Sequence, residues 1–416
     1  MLSKSTLILF SFVFLFSCSS PDQEVEKEKK VIFVLLDGIS ADILEMIDTP
    51  HLDEISRRGG YTHAYVGGEA GGYSESPTVS AVGYNHLLTG TWSNKHNVYG
   101  NSIEDPNYNY WSIFRLLKDQ NPEKKVAVFS SWIDNRTKLI GDGLPESGIN
   151  MDYHFDGFDT DTLNFPHDDG GEYVFDIDEH VSKGAGSYIK SNAPDLSWMY
   201  LWYPDNTGHR YGDGDIYYES VRNADDQIGR VWEAVKQREQ EHNEEWLIVV
   251  TTDHGRSIET GKGHGGHTER ERTTWIVSSH PDHNQYFTVS KPGVVDIYPT
   301  IARFMDIEIP ESLNKELDGV PLIGDVSISE PYAELDQENQ ELSLSWNAWN
   351  EDDEMKIWLS TTNTFKTGGE DEYHLLKEVP IVERRTKVDI SDYPSGFYKI
   401  IFEAPHNTVN RWVVVP

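Results

Sequence analysis

The run Val31-Ile32-Phe33-Val34-Leu35-Leu36 stops abruptly at Asp37 and Gly38. Six consecutive apolar residues leave a strand no face to turn toward water, so such a run belongs in a parallel sheet covered by helices on both sides. Similar runs follow at residues 125–129, 196–203, 246–252 and 275–277, with helical patterns between them. In one of these patterns Val221, Ala224, Ile228, Val231 and Val235 recur every three or four residues, the apolar stripe of a helix laid on a sheet. The alternation predicts an α/β fold with a doubly wound, mostly parallel sheet. Ligands of such sheets gather at the carboxyl ends of the strands. Asp37 stands at such an end and becomes a candidate site residue, where an isolated Asp-Gly would read only as a cap for the next helix.

Three acidic-histidine clusters also follow apolar runs. In Tyr203-Pro204-Asp205-Asn206-Thr207-Gly208-His209, Pro204 is expected to stop the strand and a loop to present Asp205 and His209. Asp253-His254-Gly255 sets a carboxylate beside an imidazole where glycine permits a tight turn. Gly263-His264-Gly265-Gly266-His267 reads as a flexible loop with two imidazoles, one a candidate ligand and the other facing solvent. Asp37, Asp205, His209, Asp253, His254 and His264 make six oxygen and nitrogen donors, enough for two divalent ions with open coordination positions. Such donors suit zinc first and manganese second. Paired metals hold the attacking and leaving oxygens in phosphoryl transfer. Residues 150–171, rich in Asp, aromatic side chains and Gly, read as an irregular insertion placed to overhang a site, without the residue order of a calcium loop.

The 70 acidic against 35 basic residues give a formal charge of −35. That field repels nucleic-acid backbones, so no duplex binding is expected, and an anionic substrate would need bound metal to offset it. Residues 1–17, with Lys4 before an apolar stretch, are too short for a permanent membrane span and read as an export signal. Cys18 is the only cysteine, which excludes disulfides within the chain and sulfur-based metal sites. Its position at the end of the apolar stretch resembles a bacterial lipobox. Lipidation of Cys18, a polar tether over residues 18–30 and a periplasmic or cell-surface lipoprotein are therefore expected, with the membrane as a partner through the anchor.

A nucleophile is still required, and a resemblance becomes specific in Pro77-Thr78-Val79-Ser80-Ala81-Val82-Gly83-Tyr84-Asn85-His86-Leu87-Leu88-Thr89-Gly90. Here the chain resembles the alkaline phosphatase superfamily, in particular its nucleotide pyrophosphatase/phosphodiesterase branch. The resemblance implies a nucleophilic Ser or Thr ten residues before Gly90, which is Ser80, with Thr78 as the alternative. Within His96-Asn97-Val98-Tyr99-Gly100-Asn101, it implies that Asn101 contacts a phosphoryl oxygen. It further implies that Asp37, Asp253 and His254 hold one metal, that Asp205, His209 and His264 hold the other, and that Ser80 bridges both. Two departures from the branch stand out: serine replaces its more common threonine, and His267 is an alternative to His264. The resemblance covers residues 31–325, including Asp318-Gly319-Val320-Pro321-Leu322, and implies an alkaline phosphatase-like catalytic domain.

Beyond residue 325, Leu342, Leu344 and Trp346, then Met355, Ile357 and Leu359, alternate with polar residues. Residues 326–416 thus read as a small fibronectin III-like β-sandwich without clustered chemistry. The expected function is hydrolysis of a small anionic phosphodiester or nucleotide pyrophosphate, with a serine nucleophile and two metals. Alternatives are a phosphomonoesterase, a phosphoethanolamine-type transferase, or a non-catalytic surface-binding lipoprotein. A monoesterase fits less well, since between Arg58 and Arg115 the only cationic side chain is Lys95. A sulfatase is disfavoured because Ser80 is followed by Ala-Val-Gly-Tyr and not by the x-P-x-R of that class. The sequence leaves the oligomeric state open.

Overall fold

A computed structural model of the chain describes residues 26–415; Cys18 and the expected export signal lie outside them. Seven strands form the main sheet: β1 (Glu28–Leu36), β2 (Gly60–Tyr65), β3 (Val126–Ser130), β4 (Tyr153–Phe155), β5 (Leu196–Leu201), β6 (Glu244–Thr251) and β7 (Thr273–Ser278). Their order is β2-β7-β6-β1-β5-β3-β4. The five strands from β6 to β4 run parallel, while β7 is antiparallel to both β6 and β2. The long apolar run of β1 is explained by its position. Val31, Phe33 and Leu35 enter one core with the helix Ser80–Thr89, and Ile32, Val34 and Leu36 enter a second core with the helices Glu172–Asn192 and Asp215–Glu241. The stripe from Val221 to Val235 is buried in that second core, as its spacing predicts.

Several boundaries differ from the sequence reading. β1 starts at Glu28, inside the expected tether, because the Lys30 ammonium finds Asp195 at 3.0 Å and Glu28 at 3.1 Å. β5 ends at Leu201, and Pro204 opens the helix Tyr203–Tyr211 where a loop was expected. Proline's missing N–H costs nothing in a first helical turn. The expected irregular insertion contains β4, three residues paired with β3 at the sheet edge and too short to show a period. β2 was not legible either, being a partly exposed edge strand of mixed polarity.

Seven further strands make a separate antiparallel domain: β8 (Ile328–Asp336), β9 (Glu341–Ala348), β10 (Glu354–Ser360), β11 (His374–Pro380), β12 (Arg385–Asp389), β13 (Phe397–Glu403) and β14 (Thr408–Val414). They form two sheets, β12-β9-β8 and β11-β10-β13-β14. The alternating residues of β9 and β10 point into the sandwich core, as expected.

A buried ionic network joins this domain to the main one. Lys95 reaches Asp318 at 2.6 Å and Asn410 of β14 at 2.9 Å. Lys399 of β13 contacts Glu316 and reaches Asp371 at 2.6 Å, and the Lys399, Glu316 and Asp371 side chains are at most 1% exposed. Removing one member strands buried charge, at a cost of about 3–5 kcal/mol. Lys399→Met is therefore expected to lower unfolding free energy by about that amount, read from equilibrium urea titration.

Candidate active site

The adjacent strands β6, β1 and β5 end at one edge of the sheet, and each delivers polar residues there. Asp37 directly follows β1, Asp253 and His254 follow β6, and the helix after β5 carries Asp205 and His209 one turn apart on a single face. The ten-residue helix Ser80–Thr89 begins at Ser80 and is buried along its whole length. It lies directly on the Asp253 backbone, and Gly83 makes this possible, since a Cβ there would stand 2.7 Å from Asp253 Cβ.

Asp37, Asp253 and His254 form one compact group of donors. Each has one polar atom tied and another left free. The hydroxyls of Tyr84 and Tyr200 both donate to Asp37 Oδ2, the latter at 2.7 Å. The Gly38 N–H donates to Asp253 Oδ1 at 3.1 Å. His254 Nδ1 lies 2.8 Å from the Gly255 carbonyl, which only accepts, so the proton sits on Nδ1 and the Nε2 lone pair is bare. Asp37 Oδ1, Asp253 Oδ2 and His254 Nε2 thus remain buried without hydrogen-bond partners. Nε2 stands 3.5 Å from the first oxygen and 3.1 Å from the second. Burial, and then the charges of Asp253 and Asp205, push the Asp37 carboxyl well above its usual range. Burial, and then Asp205, push Asp253 up to about 8. Burial holds His254 well below the ordinary imidazole value. Acceptors crowded together without donors fit a divalent cation, which supplies the missing positive charge.

Asp205, His209 and His264 form the second group. His264 Nδ1 donates to the Thr78 carbonyl at 2.9 Å, leaving Nε2 to face His209 Nε2 at 2.9 Å. Two imidazole nitrogens at that distance need a proton or a cation between them. The groups adjoin: the His254 and His264 rings stack with centroids 3.6 Å apart. Burial raises the Asp205 carboxyl, but hydrogen bonding to His209 and the Arg256 charge outweigh it and hold the group below its usual range. Asp205 in turn raises His209, while burial lowers His264.

Ser80 lines a cavity of about 310 Å³ together with Asp37, Asn101, Trp132, Trp202 and Asp205. Thr78 is placed differently. Its hydroxyl donates to the Gly266 carbonyl at 2.8 Å and accepts from the Gly265 N–H at 3.0 Å, fastening the loop that carries His264. Asn101 accepts the Ala81 N–H at 3.0 Å through Oδ1, satisfying a donor in the first turn of the Ser80 helix. His267 is exposed and stands 3.5 Å from Glu75, away from the two donor groups.

Some participants escaped the sequence reading. Tyr84 lies one turn after Ser80, a spacing that could have flagged it, whereas Tyr200 lies inside a strand and shows no distinguishing pattern. Asp178, buried in a long helix, accepts the Trp202 and Tyr203 N–H groups and so holds the start of the Asp205 helix. Arg256 directly follows the Asp253 cluster, yet its contact with Asp205 at 2.6 Å could not be read from the chain.

Comparison with known proteins places the chain in a family. The profile of the type I phosphodiesterase / nucleotide pyrophosphatase family matches residues 31–300. Bis(5'-adenosyl)-triphosphatase ENPP4 of Homo sapiens is 22% identical over 309 residues, covering 71% of this chain and 60% of the relative. Ectonucleotide pyrophosphatase/phosphodiesterase family member 7 of Mus musculus is 22% identical, covering 56% of this chain and 51% of the relative. Venom phosphodiesterase 2 of Crotalus adamanteus is 25% identical, covering 55% of this chain and 27% of the relative. The chain thus spans at most 60% of these relatives' own lengths. Among solved structures, a 2-O GAG sulfatase superposes with a TM-score of 0.54 at 13% identity, over 78% of this chain and 81% of the sulfatase, a likeness of fold alone.

Proposed function

The chain belongs to the type I phosphodiesterase / nucleotide pyrophosphatase family, and from that premise we propose that it is a metal-dependent hydrolase of phosphodiester or nucleotide pyrophosphate bonds with Ser80 as nucleophile. The observation that carries this reading is the set of partnerless buried atoms on Asp37, Asp253 and His254, the first of which lines the same cavity as Ser80. Two divalent ions, zinc or manganese, held by Asp37, Asp253 and His254 and by Asp205, His209 and His264, would stabilise phosphoryl oxygens and lower the pKa of the Ser80 hydroxyl.

Ser80 Oγ attacks phosphorus and gives up its proton to water; a P–O bond to Ser80 forms, the bond to the leaving ester oxygen breaks, and that oxygen departs with the electron pair and takes up a proton from solvent. Water then attacks the phosphorus of this seryl intermediate and restores the Ser80 hydroxyl. The positive end of the helix that begins at Ser80 favours the anionic phosphoryl group throughout. Thr78 is the weaker candidate nucleophile, because its hydroxyl is engaged on both sides by the glycine loop. Asn101 lines the cavity and accepts the Ala81 N–H through Oδ1, which leaves its amide NH₂ available as a donor. No lysine or arginine lines that cavity, which supports a monoanionic diester over a dianionic monoester.

Loss of one oriented donor costs about 10²- to 10³-fold in rate. Asn101→Ala is expected to slow diester cleavage by that factor. Because it also removes the cap on Ala81, Asn101→Asp is the cleaner companion: it keeps an acceptor for the N–H and should be comparably slow at an unchanged melting temperature. A slow Asn101→Ala beside a fully active Asn101→Asp would reduce Asn101 to a helix cap.

The proposal as a whole is tested with bis-nitrophenyl phosphate, nitrophenyl phosphate and nucleotide diesters, with zinc or manganese added back. Preference for the monoester, or transfer to an acceptor alcohol, would replace the diesterase reading by its alternatives, and absence of both metal and turnover would favour a binding lipoprotein. We also propose residues 31–325 as the catalytic unit and 326–416 as a fibronectin III-like domain, supported by the strand orders above. Lipidation at Cys18 and attachment to a bacterial periplasmic or surface membrane remain part of the proposal.

A further inference from the structure

Arg256 is completely buried. Its guanidinium donates to the Gly261 carbonyl, to the Lys262 carbonyl at 2.9 Å, and to Asp205 Oδ1 at 2.6 Å. Two glycines make room for it: a Cβ at Gly208 would lie 2.4 Å from the guanidinium carbon, and one at Gly38 would lie 2.7 Å from Nη1. The cation therefore has a built seat between the segment that follows β6 and the helix that carries Asp205 and His209.

We propose that Arg256 makes the two metal positions unequal, leaving the Asp205/His209/His264 group as the weaker and exchangeable one. This inference rests on the two-metal reading above. Three observations point the same way. The Asp37/Asp253/His254 group brings two carboxylates and no cation, whereas the single carboxylate of the other group is already neutralised by Arg256. Asp205 Oδ1 is occupied by Nη1, so the second group leaves a metal one carboxylate oxygen, against the two that Asp37 Oδ1 and Asp253 Oδ2 leave at the first. His209 is half-exposed, while His254 is fully buried, so water competes at the second group more readily than at the first. Arg256 is thus a positioning residue: it touches neither substrate nor metal and acts through Asp205, as partners of metal ligands generally do.

The test is a calorimetric titration of metal-free full-length protein with Zn²⁺ alone, in a chelator-buffered series. Wild type should take up two ions, one at least about tenfold more weakly than the other, with His209→Gln abolishing the weaker event and sparing the tighter. Arg256→Met removes the charge and frees Asp205 Oδ1; because it relieves the repulsion between two cations sharing Asp205, it should tighten the weaker event by about tenfold or more and leave the tighter one unchanged. Arg256→Gln, neutral but still able to donate, should shift in the same direction, and it stands in if the methionine variant does not fold. Two ions of equal affinity in wild type overturn the inference, as does loss of the tighter event in His209→Gln. Weaker binding in the neutral variants also overturns it, since Arg256 would then serve only to orient Asp205. Uptake of fewer than two ions overturns the two-metal reading itself, and the inference with it.

Discussion

Ser80→Ala is expected to lower turnover by about 10⁴- to 10⁶-fold while the protein keeps its melting temperature and its metal content. Ser80 lies at the start of a buried helix and lines the cavity, and no hydrogen bond of the fold depends on its hydroxyl among the described residues. Loss of Oγ therefore removes the nucleophile and little else. Thr78→Val supplies the contrast. It frees the glycine loop from its double hydrogen bond and loosens His264, so a loss of about 10- to 100-fold is expected, accompanied by weaker metal binding. Initial rates with bis-nitrophenyl phosphate, beside elemental analysis of each variant, decide between them. If Thr78→Val is the dead variant with full metal and Ser80→Ala is active, the nucleophile assignment is wrong.

Removal of metal is expected to abolish hydrolysis, and zinc or manganese to restore it, because no lysine or arginine lines the cavity to take over the charge of the phosphoryl group. Metal removal should also change stability in a pH-dependent way. In the metal-free protein Asp253 titrates at about 8, against an ordinary value of 3.8. Between those values the native state holds a proton that the unfolded chain has released, so stability falls as pH rises from about 4 to about 8. Asp37, shifted in the same direction, adds to the slope. Bound cations remove the penalty for ionising these carboxylates. The rise in melting temperature on adding zinc should therefore be larger near pH 8 than near pH 5. A shift independent of pH would show that Asp37 and Asp253 do not face the ions.

The pattern of the chain foretold the strands that lie deep in the molecule and missed those at its edge. β1, β3, β5, β6 and β7 were legible because strands covered on both faces must be apolar throughout, and that requirement is local. β2 and β4 were not, because a short or half-exposed strand takes its identity from the neighbour it pairs with. Pro204 illustrates the same limit: proline ends a strand and begins a helix equally well, and only the packing chose the helix that sets Asp205 and His209 on one face.

For the site, the sequence by itself determined the kinds of donor and their places at strand ends, since Asp37 follows directly on an apolar run and Asp253 and His254 follow another after Thr251 and Thr252. The distance from Ser80 to Gly90 and the motif order carried the resemblance to the family. Which atoms are free was decided only by the tertiary structure. Tyr84 and Tyr200 occupy one oxygen of Asp37, Thr78 fixes which nitrogen of His264 is bare, and Arg256 takes one oxygen of Asp205. The same holds for the ionic bond between the two domains, whose lysines would read along the chain as ordinary surface residues. The physical reason is common to all of these. A side chain's type is written at its own position, but the partner that uses up or exposes each of its atoms comes from a distant segment, and strand order alone brings the two together.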